Sequence, residues 1–103
     1  MPLTQQDKRR LRQIGHHLKA ILIFGDKGLS ENFIDELNMR LEDHELIKVK
    51  VNAETREDRA AVIAALCDKS GAQLIQRIGN IALLYRAAKK PNPRLSNLLR
   101  HQG

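Results

Sequence analysis

The sequence predicts an α/β domain of order α-β-α-β-α-β-β, two-layered, with a four-stranded mixed sheet. Three observations carry this. Apolar residues recur at helical spacing in three segments, each opened by a capping residue. Two strand-length segments, the apolar Ala20–Phe24 and the alternating Leu46–Val51, lie between them. Two further strand-length segments are joined by Gly79-Asn80, a strong two-residue hairpin signal. A chain of 103 residues buries roughly 60–65% of its unfolded surface, enough for one such domain.

The first helix spans about residues 5–15. Thr4 with Asp7 forms a capping-box variant, Leu11, Ile14 and Leu18 share a face, and Gly15 offers a stop. Ala20–Phe24 follows as a strand whose unbroken apolarity suggests burial on both faces, as in a central parallel strand. After Gly25-Asp26-Lys27-Gly28, Ser30 caps a second helix carrying Ile34, Leu37 and Leu41 to about Asp43, with Leu29 and Ile34 placed as a hydrophobic staple. Leu46–Val51 alternates, Ile47, Val49 and Val51 against Lys48 and Lys50, which marks a half-buried strand. Thr55 and Asp58 open a third helix with Val62, Ile63, Leu66 and Cys67 on its apolar face, and Ser70-Gly71 closes it. Strands at about 73–78 and 81–86 complete the domain. With right-handed crossovers, strands 20–24, 46–51 and 73–78 run parallel and the last returns antiparallel. Residues 1–88 read as one domain. Residues 89–103 read as a basic C-terminal tail whose order stays open, with Leu95, Leu98 and Leu99 offering a short helix.

Charge is unevenly placed. The net +6 divides into +4 over residues 1–20, −4 over 21–71 and +6 over 72–103, the last segment without a single acid. Two strongly basic ends point to a polyanionic partner. The longest apolar run, Ala60–Cys67, is eight residues, far short of the ~20 of a membrane span. No apolar stretch follows the N-terminal basic residues, so no signal peptide is expected and the expected location is the cytoplasm. The single cysteine, Cys67, excludes an internal disulfide and the Cys-rich zinc sites, and reads as core. His16, His17, His44 and His101 form no metal-ligand spacing, and no cofactor is expected. No nucleophile–base arrangement is suggested locally, so the reading is not an enzyme.

The loop Gly25–Gly28 joins a strand end to a helix start. Glycines at both ends allow a sharp turn and close approach of a ligand, the helix N-terminus favours an anion, and Lys27 adds charge. This suits a nucleic-acid phosphate, as in GXXG loops. On spacing alone a strand-to-helix turn needing positive φ is the simpler account. Asp26 opposes phosphate binding locally. The basic bias raises the ligand reading: Lys8, Arg9, Arg12 and Lys19 near the N-terminus, and Arg86, Lys89 and Lys90 at the exit of the last strand. Three aromatics are too few to stack several bases, so recognition of RNA backbone and shape is expected.

The run Ile23-Phe24-Gly25-Asp26-Lys27-Gly28-Leu29-Ser30, then His44-Glu45-Leu46-Ile47-Lys48-Val49-Lys50, then Ile78-Gly79-Asn80 before Leu83-Leu84-Tyr85-Arg86, resembles the CRM domain, most closely the stand-alone bacterial YhbY family. The resemblance covers about residues 3–88. It implies a fold similar to the C-terminal domain of translation initiation factor three. It also implies an RNA-binding role on precursors of the large ribosomal subunit, while plant relatives serve organellar intron splicing. Gly25, Lys27 and Gly28 would then line the RNA surface, supported by the first helix and Arg86; the acidic Asp26 departs from commoner loops of the family. The expected partner is structured RNA, ribosomal RNA in large-subunit precursors, bound by a monomer with no membrane involved. The alternative is an adaptor that docks on a ribosomal protein or translation factor through the acidic second helix, at Asp35 and Glu36. Duplex DNA is disfavoured because no recognition helix is apparent.

Overall fold

The computed structural model describes residues 3–25 and 28–100. Its elements are α1 (Gln5–Gly15), β1 (Ala20–Phe24), α2 (Glu31–His44), β2 (Leu46–Val51), α3 (Arg56–Ser70), β3 (Gln73–Ile78), β4 (Ile81–Tyr85) and α4 (Asn97–Arg100). Each long helix starts on the capping residue that the sequence supplies. Thr4 accepts from Asp7 N–H at 3.0 Å, Ser30 from Phe33 N–H at 3.1 Å and Thr55 from Asp58 N–H at 3.0 Å. Asp7 completes the box by accepting from Thr4 N–H at 3.0 Å. That backbone bond, then the Thr4 hydroxyl, holds the Asp7 carboxyl below its usual range. The cap is therefore intact above the ordinary carboxylate pKa and weakens as pH falls through the lowered one.

The sheet order is β1-β2-β4-β3, with β1 parallel to β2 and β4 antiparallel to both β2 and β3. The hairpin's second strand thus inserts between β2 and β3, leaving β1, β2 and β3 pointing the same way. α2 and α3 cover one face through Leu37, Leu41, Ile63 and Leu66, packed on Leu22, Phe24, Ile47, Val49, Val51, Ala82 and Leu84. α1 lies on the other face, where Leu11 and Ile14 meet Leu46, Ile75 and Leu83, and Leu98 of α4 joins them. Helices therefore flank both faces, because β2 and β4 carry an apolar residue on each.

β1 departs from the expectation of a central strand. It is an edge strand, and while Leu22 and Phe24 are buried, Ile21 and Ile23 face solvent. Continuous apolarity indicates burial on both faces only when both faces are covered, and α1 does not reach β1's outer half.

Gly15 also has a different reason from a helix stop. It is buried as the last residue of α1, and a Cβ there would sit 2.6 Å from Leu83 Cδ2. The glycine lets the helix approach the sheet.

The segment after residue 88, read as a basic tail, is held to the body. Glu45, at φ 64, is buried; its carboxylate accepts from Ala88 N–H at 2.8 Å and from the Ser96 hydroxyl at 2.7 Å. A non-glycine residue at positive φ costs about 1–3 kcal/mol, which these two charge-assisted bonds offset. Glu42 accepts from the N–H of Lys89 at 2.9 Å, and Asn97 Nδ2 donates to Leu46 O at 2.7 Å. Arg86 supports the same corner: its Nη1 donates to Asn38 Oδ1 at 2.8 Å and Ser70 O at 2.9 Å, and its Nη2 to Asn38 O at 3.0 Å. One guanidinium thereby ties the exit of β4 to the middle of α2 and the end of α3.

Two outcomes follow from this packing. Gly15→Ala gains about 0.5–1 kcal/mol of helix propensity but meets Leu83, which is 2% exposed and has no room to swing, at an overpacking cost of about 1–3 kcal/mol. Urea unfolding should show a net loss, and an unchanged midpoint would contradict the close approach. Arg86→Ala leaves two carbonyls and an amide oxygen without their donor and should cost about 2 kcal/mol in the same assay. Arg86→Lys should recover only part of it, since an ammonium cannot span the fork.

Candidate nucleic-acid interface

The glycine loop is a turn between the end of β1 and the start of α2. Gly28 N–H donates to Gly25 O at 3.0 Å, and Ser30 N–H donates to Gly28 O at 3.0 Å before its side chain caps the helix. Gly28 sits at φ 65, where a side chain is strained. Gly25 does not: its φ lies outside that region and a Cβ would meet nothing within 4 Å. A turn alone thus accounts for Gly28 but not for Gly25. Asp26 and Lys27 lie outside the described residues. The start of α2 has unpaired N–H groups by construction, and Glu31 in its first turn offsets part of their positive field.

The loop shares one end of the sheet with the β2–α3 link and the hairpin turn. Asn52 N–H donates to Phe24 O at 3.0 Å, and Val51 N–H to Asn80 O at 2.7 Å. The exit of β4 is at the opposite end. Tyr85 pairs with Leu46 and Phe24 with Val51, five residues further along β2, a separation of about 17 Å. Arg86, Lys89 and Lys90 therefore do not adjoin the loop, and neither does Lys19, which precedes the far end of β1. Arg86 is moreover committed to Asn38 and Ser70, whereas the side chains of Lys19, Lys89 and Lys90 are exposed.

α1 runs between these two ends on its own face of the sheet. Its N-terminal half, with Arg10, lines a cleft shared with Tyr85 and Arg86. At its C-terminal half, Arg12, Gln13, His16 and His17 line a shallow depression with Gln76 and Ile78. Arg9 is exposed; Lys8 and Arg12 are half-buried. The helix thus carries its charge along a path from the strand exit towards the hairpin end.

Lys50 is the cation that charge counting passed over. It stands on the sheet face left open beyond α1, paired with Ile23 on one side and Ile81 on the other. Its alternation with Val49 and Val51 was the available signal, but alternation says only that a side chain leaves one core, not what stands beside it. Its neighbour Lys48 is instead spent internally, donating to Leu18 O at 3.0 Å.

Two acids of α2 have partners within the chain. Glu36 pairs with Arg40 at 3.5 Å, and Glu42 binds the backbone of Lys89 and, at 3.8 Å, the Arg86 guanidinium. Asp35 is exposed. Cys67 packs against the core, and burial pushes its thiol pKa up, away from nucleophilic chemistry. Among the described residues, no three His, Cys, Asp or Glu side chains gather as a metal site needs, and no helix is long and apolar enough to cross a membrane.

Residues 3–86 match the model of the CRS1 / YhbY (CRM) domain. A probable RNA-binding protein of Pseudomonas aeruginosa is 48% identical over 103 residues, covering 100% of this chain and 99% of its own. Probable RNA-binding protein YqeI of Bacillus subtilis is 42% identical over 88 residues, 85% of this chain and 92% of that one. The solution structure of a hypothetical protein of Staphylococcus aureus, described as a candidate RNA binder, superposes with a TM-score of 0.74 at 34% identity, covering 86% of this chain and 93% of that one. With the α-β-α-β-α-β-β order, the glycine loop and the hairpin in place, the chain belongs to the CRS1 / YhbY (CRM) domain family.

Proposed function

We propose that the protein binds RNA without catalysis, gripping the backbone of ribosomal RNA in precursors of the large subunit during their assembly. Gly25 carries the reading. It is a glycine that neither backbone strain nor packing within the chain requires, placed where a strand delivers the chain to a helix N-terminus. A missing Cβ there is accounted for by close approach of something outside the chain, and a phosphate fits the local field. The names of the relatives point the same way.

In this reading Gly25 and Gly28 let a phosphate approach the backbone closely and Lys27 adds a charge, while the acidic Asp26 opposes it. Lys8, Arg9 and Arg12 extend the track along α1, and the exposed Lys19, Lys89 and Lys90 serve a longer RNA that wraps to the far end. Arg86 acts only through the fold.

Sedimentation of cell lysate through a sucrose gradient should place the protein with large-subunit precursors; finding it solely at the top of the gradient would count decisively against the assembly role. With purified protein and an rRNA fragment, Gly25→Ala should weaken binding about tenfold, one lost backbone contact to a charged group, while the melting temperature stays put. Lys27→Gln should lower the slope of log K against log salt by about one, as expected for one phosphate contact. A fall in melting temperature as large as the fall in affinity would return Gly25 to a structural role.

A further inference from the structure

The part of the sheet face that α1 leaves uncovered carries one transverse row in register across all four strands. Ile23 on β1 pairs with Lys50 on β2, Lys50 with Ile81 on β4, and Ile81 with Ile78 on β3. Ile23 and Ile78 are each 62% exposed, and Lys50 and Ile81 are half-buried. The side chains share a face, since Lys50 alternates with the core residues Val49 and Val51, and Ile81 with Ala82.

Three branched apolar side chains in one row of an open sheet, Ile81 beside Ile78 and Ile23 across Lys50, are unlike scattered surface apolar residues. Their polar surroundings are of one kind. Lys50 stands inside the row, and Arg12, Gln13, His16, His17 and Gln76 share the depression beside Ile78, with no carboxylate among them. At the other end, Ile23 is two residues from Gly25. The row therefore runs from the loop to the C-terminal end of α1.

A second copy of the chain is a poor occupant, because apposing the two faces would bury Lys50 close to a like charge. A ligand with flat apolar faces and a negatively charged backbone answers both the isoleucines and the cations. Paired RNA hides its base faces; unpaired RNA shows them. The outer strands of the row lie about 14 Å apart, the span on which a four-stranded RNA-reading sheet seats two or three bases. Such sheets use aromatic rings, and none stands in this row: Phe24 and Phe33 pack in the core, and Tyr85 lies at the far end.

We infer that this open half-face seats two or three unpaired nucleotides, packed on Ile23, Ile81 and Ile78 with Lys50 on their phosphates. This rests on the RNA-binding reading above and adds to it a preference for single-stranded nucleotides beside the segment gripped by the loop.

Binding of two RNAs, followed by fluorescence anisotropy, tests it: a blunt hairpin, and the same hairpin with a short single-stranded extension. The native protein should hold the extended RNA about tenfold tighter, from apolar area buried under the bases. Ile23→Ser combined with Ile78→Ser should erase that advantage while leaving blunt-hairpin affinity and melting temperature as they were. Gly25→Ala should weaken both RNAs by one common factor. Equal affinity of the native protein for the two RNAs, or an advantage that survives the double substitution, overturns the inference and leaves the loop's role standing. A double substitution that spares the RNA preference but abolishes capture of an acidic protein reassigns the face to a protein partner. If the native protein binds neither RNA, the RNA-binding reading itself falls, and this inference with it.

Discussion

The pairing of β2 with β4 is the contact on which the rest of the domain is built. Leu46 through Lys50 lie opposite Tyr85 through Ile81, and both strands are central. Each presents apolar groups to both sides: Ile47, Val49, Ala82 and Leu84 to α2 and α3, Leu46 and Leu83 to α1. Two separate cores thus share one pair of strands, and a change of register by one residue would exchange them. The same pairing sets the two ends of the molecule, with the glycine loop and hairpin turn at one and the β4 exit at the other.

Much of this was legible in the chain. Thr4, Ser30 and Thr55 marked the helix starts, and the spacing of Leu37 and Leu41 marked a helix face. Gly79-Asn80 marked the turn between β3 and β4. These signals are local, and local physics decides them. What misled was information that depends on a distant partner. Ala20–Phe24 has the composition of a buried strand, yet its exposure depends on how far α1 extends over the sheet. Gly15 resembles a helix stop, but the constraint comes from Leu83, sixty-eight positions later. Arg86 looks like a free cation until Asn38 and Ser70 are seen beside it.

The candidate site shows the same division. The loop stood out because glycines, helix start and strand end are adjacent in sequence. Lys50 and the isoleucines of the open face did not, because their row draws one residue from each of four strands. Charge bias along the chain was a sound guide to the sign of a partner and a poor guide to which cations gather. The acids of the middle segment explain part of this. Glu42 and Glu45 hold backbone N–H groups of residues 88–90, so part of the middle segment's acidity is spent on the fold, while Glu31, Asp35 and Glu36 of α2 stay exposed.

Glu45 also bears on what counts as the unit of folding. The family match ends at residue 86, yet the two acceptor oxygens of this buried carboxylate are filled from residues 88 and 96. Homology and self-sufficiency therefore have different boundaries in this chain. A fragment trimmed to the matched span would keep every strand of the sheet and the three long helices, but would leave a charge inside with no donor to meet it. Wherever the same module is spliced into a longer polypeptide, the sequence just downstream is not a neutral connector: it has to bring its own donors to that oxygen pair, or the acid has to go.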